Sequence, residues 1–564
     1  GLGPVRAAPR ETGATTPWFG SPPLEMSNRF RCMGALLASL LAGAPVHGAE
    51  QIQFQIDGLT VPVDLRELEA WSRDPGRTNG DLGAWLGLLD PLDRRALARL
   101  LQAPLLKEPS FGVQLLRSRT GEPLIEALGS LLTTAQGKST APLLLSTLRT
   151  LLQQQKQVNA FELLRALPSD QLSLNLDEAV AFADRWRRQV DQQADALRAL
   201  RALPLPLRRA IPLDLKAGER QRPQHVDLVV AHRATALPLE IWSSRQSKPG
   251  PWILLMPGLG GNSAQLSWLA DELAGQGWPV VLLDHPGSDD KAVQDSLLGY
   301  SPPPGAEAVP LRLADVQAVL TAEKDGALPP LGPEPTGHQG VVLMGHSLGA
   351  LTALMGSGLL PEQGVARRCR AMKGTLPLAN LSQLLQCQLP RVTGDGTARG
   401  PLSAPDPLSN PILAPIPLLG VVAFNGFGSL LWPAGGLADL DVPVLLVGGS
   451  VDLVTPPVQE QLNLFVHVSH PRSRLVVVDG GSHFSLVRLD NQGQALFRLG
   501  QELVGRDPRK VQNLILSLTK EFLQGFDYPS LLSPQRRLQE GVSAFVLDRT
   551  MARRWKASLK GWPF

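Results

Sequence analysis

The stretch VVLMGHSLGA, residues 341–350, contains the pattern G-x-S-x-G and decides the predicted fold. Its four leading apolar residues predict a short buried strand, and the apolar residues from Ala350 onward predict a helix. Ser347 then lies on a sharp turn, where the helix N-terminus favours negative charge. Gly345 and Gly349 have no side chains where the two backbones come close. The pattern predicts a nucleophilic serine, and the alternative is an ordinary serine at a strand–turn–helix junction.

His483 is the residue that we predict as the base for Ser347. A serine hydroxyl is a poor nucleophile at neutral pH, so it needs a base that a third group orients. His483 lies in a loop directly after the predicted strand 474–478, at the edge of the sheet where the serine is expected. His467 and His470 precede that strand, so we expect them at the wrong edge.

Asp452 is the predicted acid, because it follows the apolar stretch 442–447 in a loop beside the one that carries His483. The order serine, acid, histidine along the chain is the one that this kind of strand–turn–helix site uses. Asp479 is the second choice, although it lies close to His483 along the chain.

The glycine-rich segment PGLGG, residues 257–261, is expected to form part of an oxyanion hole. Acyl transfer builds negative charge on an oxygen, and preorganised N–H groups stabilise it. We predict one donor at Leu348, after the serine, and a second at Leu259 or Gly260. A phosphate loop is disfavoured, because the G-x-G-x-x-G spacing is absent and no lysine follows. A plain glycine turn is a further alternative.

Strands alternate with helices over residues 225–490, and this alternation predicts an α/β fold with a mostly parallel central sheet and helices on both faces. Ligands of such sheets bind at the carboxyl ends of the strands. A leucine-, proline- and glycine-rich insertion at about 360–416 is expected to act as a lid. The predicted strands are 225–232 and 237–243, which form an antiparallel pair, then 252–256, 279–284, 341–344, 418–424, 442–447 and 474–478.

The segments on either side of this α/β region are predicted to be mainly helical. Residues 50–205 are expected to form a mainly α-helical accessory domain that opens with a hairpin over 50–63, and residues 206–224 to form a linker. Residues 491–564 are predicted to form a helical extension. Its end, 553–562, mixes cations with tryptophans, a composition suited to an anionic membrane surface. The alternative is a helix end with a frayed tail.

The N-terminus has the features of a targeting segment. Residues 1–25 are interpreted as upstream read-through and 26–49 as a signal peptide, with a short basic region, an apolar run over 33–44 and small residues near the expected cleavage site. We expect export, and the alternative is a membrane anchor formed by an uncleaved signal. Export permits a disulfide between Cys369 and Cys387, the alternative being two buried thiols.

Three motifs resemble the α/β-hydrolase superfamily over about residues 225–490: PGLGG at 257–261, DHPGS at 284–288 and GHSLG at 345–349. Within that superfamily the motifs resemble those of platelet-activating-factor acetylhydrolases and dienelactone-hydrolase-like esterases. The resemblance implies Ser347, Asp452 and His483 as nucleophile, acid and base, and Leu259 and Leu348 as oxyanion donors. The accessory domain over residues 50–205, called the front domain below, resembles one found ahead of such hydrolases in bacterial proteins of unknown function.

Two departures from the related enzymes refine this interpretation. Pro257 stands where related enzymes often have a histidine, and dienelactone hydrolases proper use a cysteine nucleophile instead of a serine. The serine therefore favours hydrolysis of esters or lipid esters. Asp284 and His285 precede the serine and follow another strand, so we interpret them as structural support near the site.

These observations predict a serine carboxylic-ester hydrolase that forms an acyl-enzyme, with no metal or organic cofactor. The expected substrate is a lipid or other carboxylic ester, with a short-acyl phospholipid as one candidate. The net charge of +3 carries no nucleic-acid signature. The alternatives are a thioesterase, transacylase or peptidase with the same triad, or a non-catalytic binding protein on a hydrolase scaffold.

Overall fold

A computed structural model describes residues 50–559 of the chain, apart from 57–58, 77–79, 88–90, 103, 108–121, 155–156, 170, 211–221, 244–249, 298–299, 303, 333–339, 373–379, 390–414, 489–506 and 527–531. The expected read-through segment and signal peptide lie outside the described residues. So do the larger part of the expected lid and the tryptophan at 562. Within the described part of the chain, no helix has the length and hydropathy that crossing a bilayer requires.

The front domain contains a four-stranded sheet in the order β2-β1-β6-β4 and a separate pair formed by β3 and β5. Its strands are β1 (Gln51–Ile56), β2 (Leu59–Asp64), β3 (Pro104–Lys107), β4 (Leu132–Thr134), β5 (Gln157–Asn159) and β6 (Gln171–Asn175). Its helices are α1 (Leu65–Arg73), α2 (Asp81–Leu86), α3 (Pro91–Gln102), α4 (Glu122–Leu131), α5 (Ala141–Gln154), α6 (Ala160–Ala166) and α7 (Leu176–Arg201).

The predicted hairpin is confirmed, since β1 and β2 pair antiparallel with Ile52 opposite Val63. Helices make up most of the described front domain, as predicted, but the strands after the hairpin were not predicted: β6 pairs parallel to β1 and antiparallel to β4. Strands of three to five residues between helices are too short to show a clear alternation of apolar and polar residues. The sequence pattern therefore indicated only the helices around them. The front domain is therefore a mixed α/β unit.

An eleven-stranded sheet dominates the rest of the described chain, in the order β7-β16-β17-β15-β14-β13-β12-β10-β11-β9-β8. Its strands are β7 (Leu207–Arg209), β8 (Gln224–Leu228), β9 (Leu237–Trp242), β10 (Trp252–Met256), β11 (Val280–Leu283), β12 (Val341–His346), β13 (Leu418–Phe424), β14 (Val444–Gly449), β15 (Arg474–Val478), β16 (Gln535–Gln539) and β17 (Val542–Leu547). The strands β11, β10, β12, β13, β14 and β15 are parallel. All eight predicted strands are present, within a few residues of the predicted bounds.

Helices cover both faces of this sheet, as predicted. The α-helices are α8 (Ser267–Gly275), α9 (Asp290–Leu297), α10 (Val309–Lys324), α11 (Leu348–Gly356), α12 (Val365–Ala371), α13 (Ser382–Gln386), α14 (Asn463–Phe465), α15 (Pro508–Gln524) and α16 (Arg549–Ser558). Shorter helical turns are the 3-10 segments Ser263–Gln265 and Ala306–Ala308 and the π-helix Pro457–Leu462. On β10, Leu254 packs with α10 and α11 on one face, while Ile253 and Leu255 pack with α8 and α15 on the other.

Two predicted boundaries are corrected by this sheet. Leu207–Arg209, predicted as linker, pairs parallel to β16 and forms one edge of the sheet. The C-terminal segment is not only helical, because β17 pairs antiparallel to β15 and β16 pairs with β17. The eleven-stranded sheet therefore extends beyond the predicted limits of 225–490.

Trp555 on α16 is fully buried, and its indole N–H donates to the carbonyl of Ala196 on α7 at 2.8 Å. Leu200 on the same helix lies in the same core cluster, so α7 connects the front domain to the main sheet. The ring of Trp555 is therefore packed inside the protein, and of the two interpretations of 553–562 Trp555 fits the helix end.

Candidate active site

Ser347 lies between the end of β12 and the start of α11, with φ 54° and ψ −116°. Its N–H donates to the carbonyl of Phe424 on the neighbouring strand at 2.9 Å, and its own carbonyl accepts the N–H of Leu351 at 3.0 Å. A positive φ is strained for a residue with a side chain, and here it is held by a strand on one side and a helical turn on the other. The turn presents the serine hydroxyl at the carboxyl end of the sheet.

The two glycines of the motif are required by close approach of backbones, as predicted. A Cβ atom on Gly345 would lie 2.3 Å from the carbonyl carbon of Gly349. A Cβ atom on Gly349 would lie 2.3 Å from the carbonyl oxygen of Met256 at the end of β10. Both distances are far below van der Waals contact, so any side chain at either position would displace the turn that carries the serine.

His483 and Asp452 come together with Ser347, although 136 residues separate the histidine from the serine. The His483 Nε2 atom lies 3.0 Å from the serine Oγ, and its Nδ1 atom lies 2.9 Å from Asp452 Oδ2. Only 7% of Ser347 and 5% of His483 is exposed. The three residues predicted from the sequence thus form one continuous line of polar contacts in a nearly dry site.

The Asp452 carboxylate accepts several hydrogen bonds besides its contact with the histidine. Oδ1 accepts the N–H groups of Val454 and Thr455, each at 2.8 Å. Oδ2 accepts Asn425 Nδ2 and the Thr455 hydroxyl, each at 2.7 Å. Burial by itself would raise the pKa of this carboxyl, but the charge and hydrogen bond of His483 and the donors of Thr455 lower it to about 2. Asp452 is therefore ionised at neutral pH.

Asn425 and Thr455 were not predicted as site residues. Asn425 directly follows β13 and has a φ of 49°, and Thr455 comes three residues after the acid. A polar residue at the carboxyl end of a parallel strand was the available signal for Asn425, since that edge carries the sites of such sheets. For Thr455 the available signal was its position, since its hydroxyl comes three residues after the predicted acid.

Asp479, the second choice for the acid, has other partners. Its Oδ1 atom accepts Arg201 Nη2 at 2.7 Å and the hydroxyl of Ser450 at 3.4 Å. It lies directly after β15, at the start of the loop that leads to His483. His467 and His470 precede β15, as expected, and neither contacts the serine.

Residues 257–261, the loop expected to form part of an oxyanion hole and called the oxyanion loop below, lie close to the serine. A Cβ atom on Gly258 would lie 3.2 Å from the Cβ atom of Ser347. The N–H groups of Leu259 and Leu348 donate to no other group among the described residues. Gly260 is different, because its N–H donates to the carbonyl of Ser288 at 2.9 Å. Of the predicted donors, the N–H groups of Leu259 and Leu348 are available, and that of the alternative, Gly260, is already used by Ser288.

His346, the residue before the serine, supports the loop that carries His483. It is buried, and its Nε2–H donates to the carbonyl oxygen of His483 at 2.8 Å. Burial and the nearby His483 lower the pKa of His346 to about 3, so this ring is neutral at neutral pH. A neutral ring that donates from Nε2 holds the histidine loop without adding charge to the site.

The described part of the expected lid is fastened to the site instead of lying free. Cys369 on α12 and Cys387 after α13 form a disulfide with Cα atoms 5.5 Å apart, so of the two alternatives the structure has the bridge and not two thiols. The N–H groups of Leu381 and Ser382 donate to the carbonyls of Leu453 and Val454, beside the acid. This segment therefore packs directly against the loop of Asp452.

The buried side chain of Glu460 also holds the segment that carries α13. It accepts Asn380 Nδ2 at 2.6 Å and Gln386 Nε2 at 3.2 Å, and it also accepts the N–H groups of Gly428 and Ser429 at 2.9 and 3.0 Å. These donors come from α13, the residues before it and the loop after β13. Because the Glu460 side chain is fully buried, each of these bonds contributes to keeping the lid segment in one place.

Asp284 and His285 lie near the oxyanion loop and outside the triad, as expected. His285 donates from Nδ1 to Asp315 Oδ2 at 2.8 Å, and burial together with the charge of Arg312 lowers its pKa to about 4. Asp284 has a buried carboxylate oxygen, Oδ1, without a hydrogen-bond partner among the described residues. Burial, with a smaller contribution from Glu240, raises the pKa of Asp284 to about 7.

We expect Asp284→Asn to stabilise the protein more at pH 8 than at pH 5, by about 2 kcal/mol. The folded protein holds a proton on Asp284 between pH 3.8 and about 7 that the unfolded chain releases, so stability from this group falls as pH rises through that window. Asparagine removes the titration. Urea unfolding of both proteins at the two pH values measures the difference.

The exposed Asp325 at the end of α10 supplies the matched control. Asp325→Asn is expected to change stability equally at pH 5 and pH 8. If Asp284→Asn also gives the same change at both values, the buried carboxylate is not protonated in the folded protein and the expectation is wrong.

Among the residues that the structure describes, no three His, Cys, Asp or Glu side chains lie together in a way that suits a metal ion.

Two family models match this chain. Residues 253–498 match a model described as alpha/beta hydrolase family, and residues 48–175 match one described as alpha/beta hydrolase of unknown function (DUF1400). No curated protein matches the chain. Together with the fold, the two matches indicate an α/β-hydrolase, and they indicate hydrolase activity. They carry no information specific to platelet-activating-factor acetylhydrolases or dienelactone hydrolases.

Proposed function

We propose that this protein is a serine hydrolase of carboxylic esters, with Ser347 as nucleophile, His483 as base and Asp452 as the acid that orients the histidine. The observation that carries the proposal is the unbroken contact from Ser347 Oγ to His483 Nε2 at 3.0 Å and from His483 Nδ1 to Asp452 at 2.9 Å. The unused N–H groups of Leu259 and Leu348 beside the serine complete the set of groups that acyl transfer requires.

The proposed reaction follows from which atoms can donate. Because Asp452 is ionised, His483 donates its Nδ1–H to it, which leaves a lone pair on Nε2 to accept the serine proton. As Ser347 Oγ bonds to the carbonyl carbon, His483 takes the proton, and the carbonyl oxygen becomes an oxyanion that meets the two N–H groups. His483 then gives the proton to the leaving alcohol. Water, activated by the same nitrogen, releases the acid from the acyl-enzyme.

We propose a lipid ester or a short-acyl phospholipid ester as the substrate class. The resemblance of the three motifs to platelet-activating-factor acetylhydrolases supports this choice. The burial of Ser347 supports it too, because an apolar substrate moves from water into such a site readily. If the protein meets its substrate at a membrane surface, residues other than the buried Trp555 make that contact. Export is proposed as well, and the Cys369–Cys387 disulfide supports an oxidising compartment.

The test is hydrolysis of p-nitrophenyl esters from two to sixteen carbons, alongside a thioester and an anilide of matched acyl length. We expect ester turnover and labelling of the wild type by a fluorophosphonate probe, and neither in Ser347→Ala. The chain length of fastest turnover separates short-acyl from long-acyl substrates. Faster turnover of the thioester or the anilide would favour a thioesterase or a peptidase, and a wild type that neither hydrolyses nor labels would refute the proposal.

A further inference from the structure

Arg312 on α10 is fully buried, and its guanidinium group donates to the loop 257–261 and to the loop after β11. Nη1 donates to the carbonyl of Pro257 at 2.8 Å, and Nη2 donates to the carbonyl of Gly258 at 3.0 Å. Nε donates to the hydroxyl of Ser288 at 2.8 Å, and Nη2 also lies 3.3 Å from the Ser288 carbonyl. One side chain thus holds two consecutive carbonyls of the oxyanion loop and the loop after β11.

The bond to Gly258 bears directly on the oxyanion donor. In a trans peptide unit the carbonyl and the N–H of the next residue point in opposite directions. The carbonyl of Gly258 points to Arg312, so the N–H of Leu259 points away from it. A cation on the carbonyl also polarises the peptide and makes that N–H a stronger donor. A Cβ atom on Gly258 would lie 3.2 Å from the Cβ atom of Ser347, so this peptide lies beside the serine.

Ser288 extends the same arrangement to the next residue of the loop. Its carbonyl accepts the N–H of Gly260 at 2.9 Å as well as Nη2 of Arg312. Gly260 has a φ of 70°, so the loop reverses there. The bonds to Arg312 and Ser288 therefore hold the peptides on both sides of Leu259.

A buried carboxylate, Asp315, lies near Arg312 and opposes the effect of burial on its charge. Asp315, one turn further along α10, is also fully buried, and it accepts Arg233 through both carboxylate oxygens and a ring nitrogen of His232 and of His285. Burial lowers the pKa of Arg312 to about 9, against the opposing effect of Asp315, so Arg312 stays charged at neutral pH. Every hydrogen bond that the structure gives Arg312 goes to these two loops.

We propose that Arg312 is a positioning residue, which fixes the Gly258–Leu259 peptide so that the Leu259 N–H is aimed at the oxyanion before substrate binds. This inference rests on the proposed function. It predicts that loss of the guanidinium weakens transition-state binding more than substrate binding, because the donor it orients acts on charge that develops during the reaction.

The experiment compares Arg312→Met and Arg312→Lys with the wild type, using the ester that the wild type hydrolyses fastest. Three quantities are measured: kcat and KM, the inhibition constant of a boronic acid that forms a tetrahedral serine adduct, and the number of active sites by fluorophosphonate titration. Rates per titrated site remove the effect of any misfolded fraction. Arg312→Lys carries the test if Arg312→Met does not fold, since lysine keeps a charge but loses the forked geometry.

We expect Arg312→Met to lower kcat by about 100-fold and to weaken the boronic acid by a similar factor, with KM changed by about threefold or less. Arg233→Met is the matched control, because Arg233 is buried against Asp315 and donates to Pro286 instead of the oxyanion loop. It is expected to lower stability while leaving the boronic acid affinity within about threefold of the wild type.

Each outcome decides the matter. If the arginine variants keep the kcat and boronic acid affinity of the wild type, or if Arg233→Met loses as much as they do, Arg312 has no specific role at the oxyanion hole. A wild type that neither hydrolyses esters nor labels would overturn the proposed function itself, and this inference with it.

Discussion

Replacing Ser347 or His483 by alanine is expected to lower kcat by about 10⁶-fold, and replacing both is expected to lower it no further. The two side chains act as a unit, because the hydroxyl at 3.0 Å from Nε2 is a nucleophile only when that nitrogen can take its proton. Once either side chain is missing, the proton transfer between them is lost, so removing the second side chain has no further effect on kcat. Steady-state hydrolysis of the preferred ester by the two single variants and the double variant measures the effect.

The control for this cycle is His470→Ala. His470 precedes β15 and is partly buried, so the substitution tests loss of an imidazole from the same region of the chain without touching the site. Its kcat is expected to stay within about threefold of the wild type. Losses in the two single variants that multiply in the double variant would mean that Ser347 and His483 act independently, which contradicts the triad.

Asp452→Asn is expected to lower kcat by about 10⁴-fold with little change in KM. Four donors already surround the carboxylate, from the backbone of Val454 and Thr455 and from the side chains of Thr455 and Asn425. An asparagine oxygen in the place of Oδ1 would be held by the two backbone N–H groups, which leaves its NH₂ group in the place of Oδ2, facing His483. The ring would then keep its proton on Nε2, the nitrogen that must accept from Ser347.

Asp479→Asn separates this prediction from the alternative acid. Asp479 contacts Arg201 and Ser450, so its replacement is expected to change kcat by about threefold or less. The result that would reverse the assignment is a loss of 10⁴-fold in Asp479→Asn with near-normal activity in Asp452→Asn. Fluorophosphonate labelling rates for both variants give the same comparison without depending on deacylation.

The site was predictable to the extent that it follows from rules about neighbouring residues and strand ends. The turn at Ser347 is local, since the apolar strand, the two glycines and the helix lie within sixteen residues. Asp452 and His483 are distant along the chain, but each follows an apolar strand, and the carboxyl ends of parallel strands meet at one edge of the sheet. That rule brings the three side chains together without any knowledge of their packing.

The edges of the fold did not follow from such rules. The strand β7 has three residues, all exposed, and β16 is mostly polar, so neither shows the apolar run that marked the central strands. β17 is apolar and fully buried, but its place beside β15 depends on the chain returning to the sheet after α15. Pairing between distant segments is a tertiary contact that a local pattern does not encode.

The sequence by itself determined the α/β-hydrolase fold, the serine turn and the partners of the serine, because periodicity, glycine spacing and strand order are local or topological properties. Only the tertiary structure decided which loop N–H groups are free and what holds them. Gly260 and Leu259 are neighbours, yet Ser288 takes the N–H of the first alone. Arg312 looks like any helical arginine in the sequence, and its burial under the oxyanion loop depends on how α10 packs, since a hydrogen bond depends on where two distant backbones finally lie.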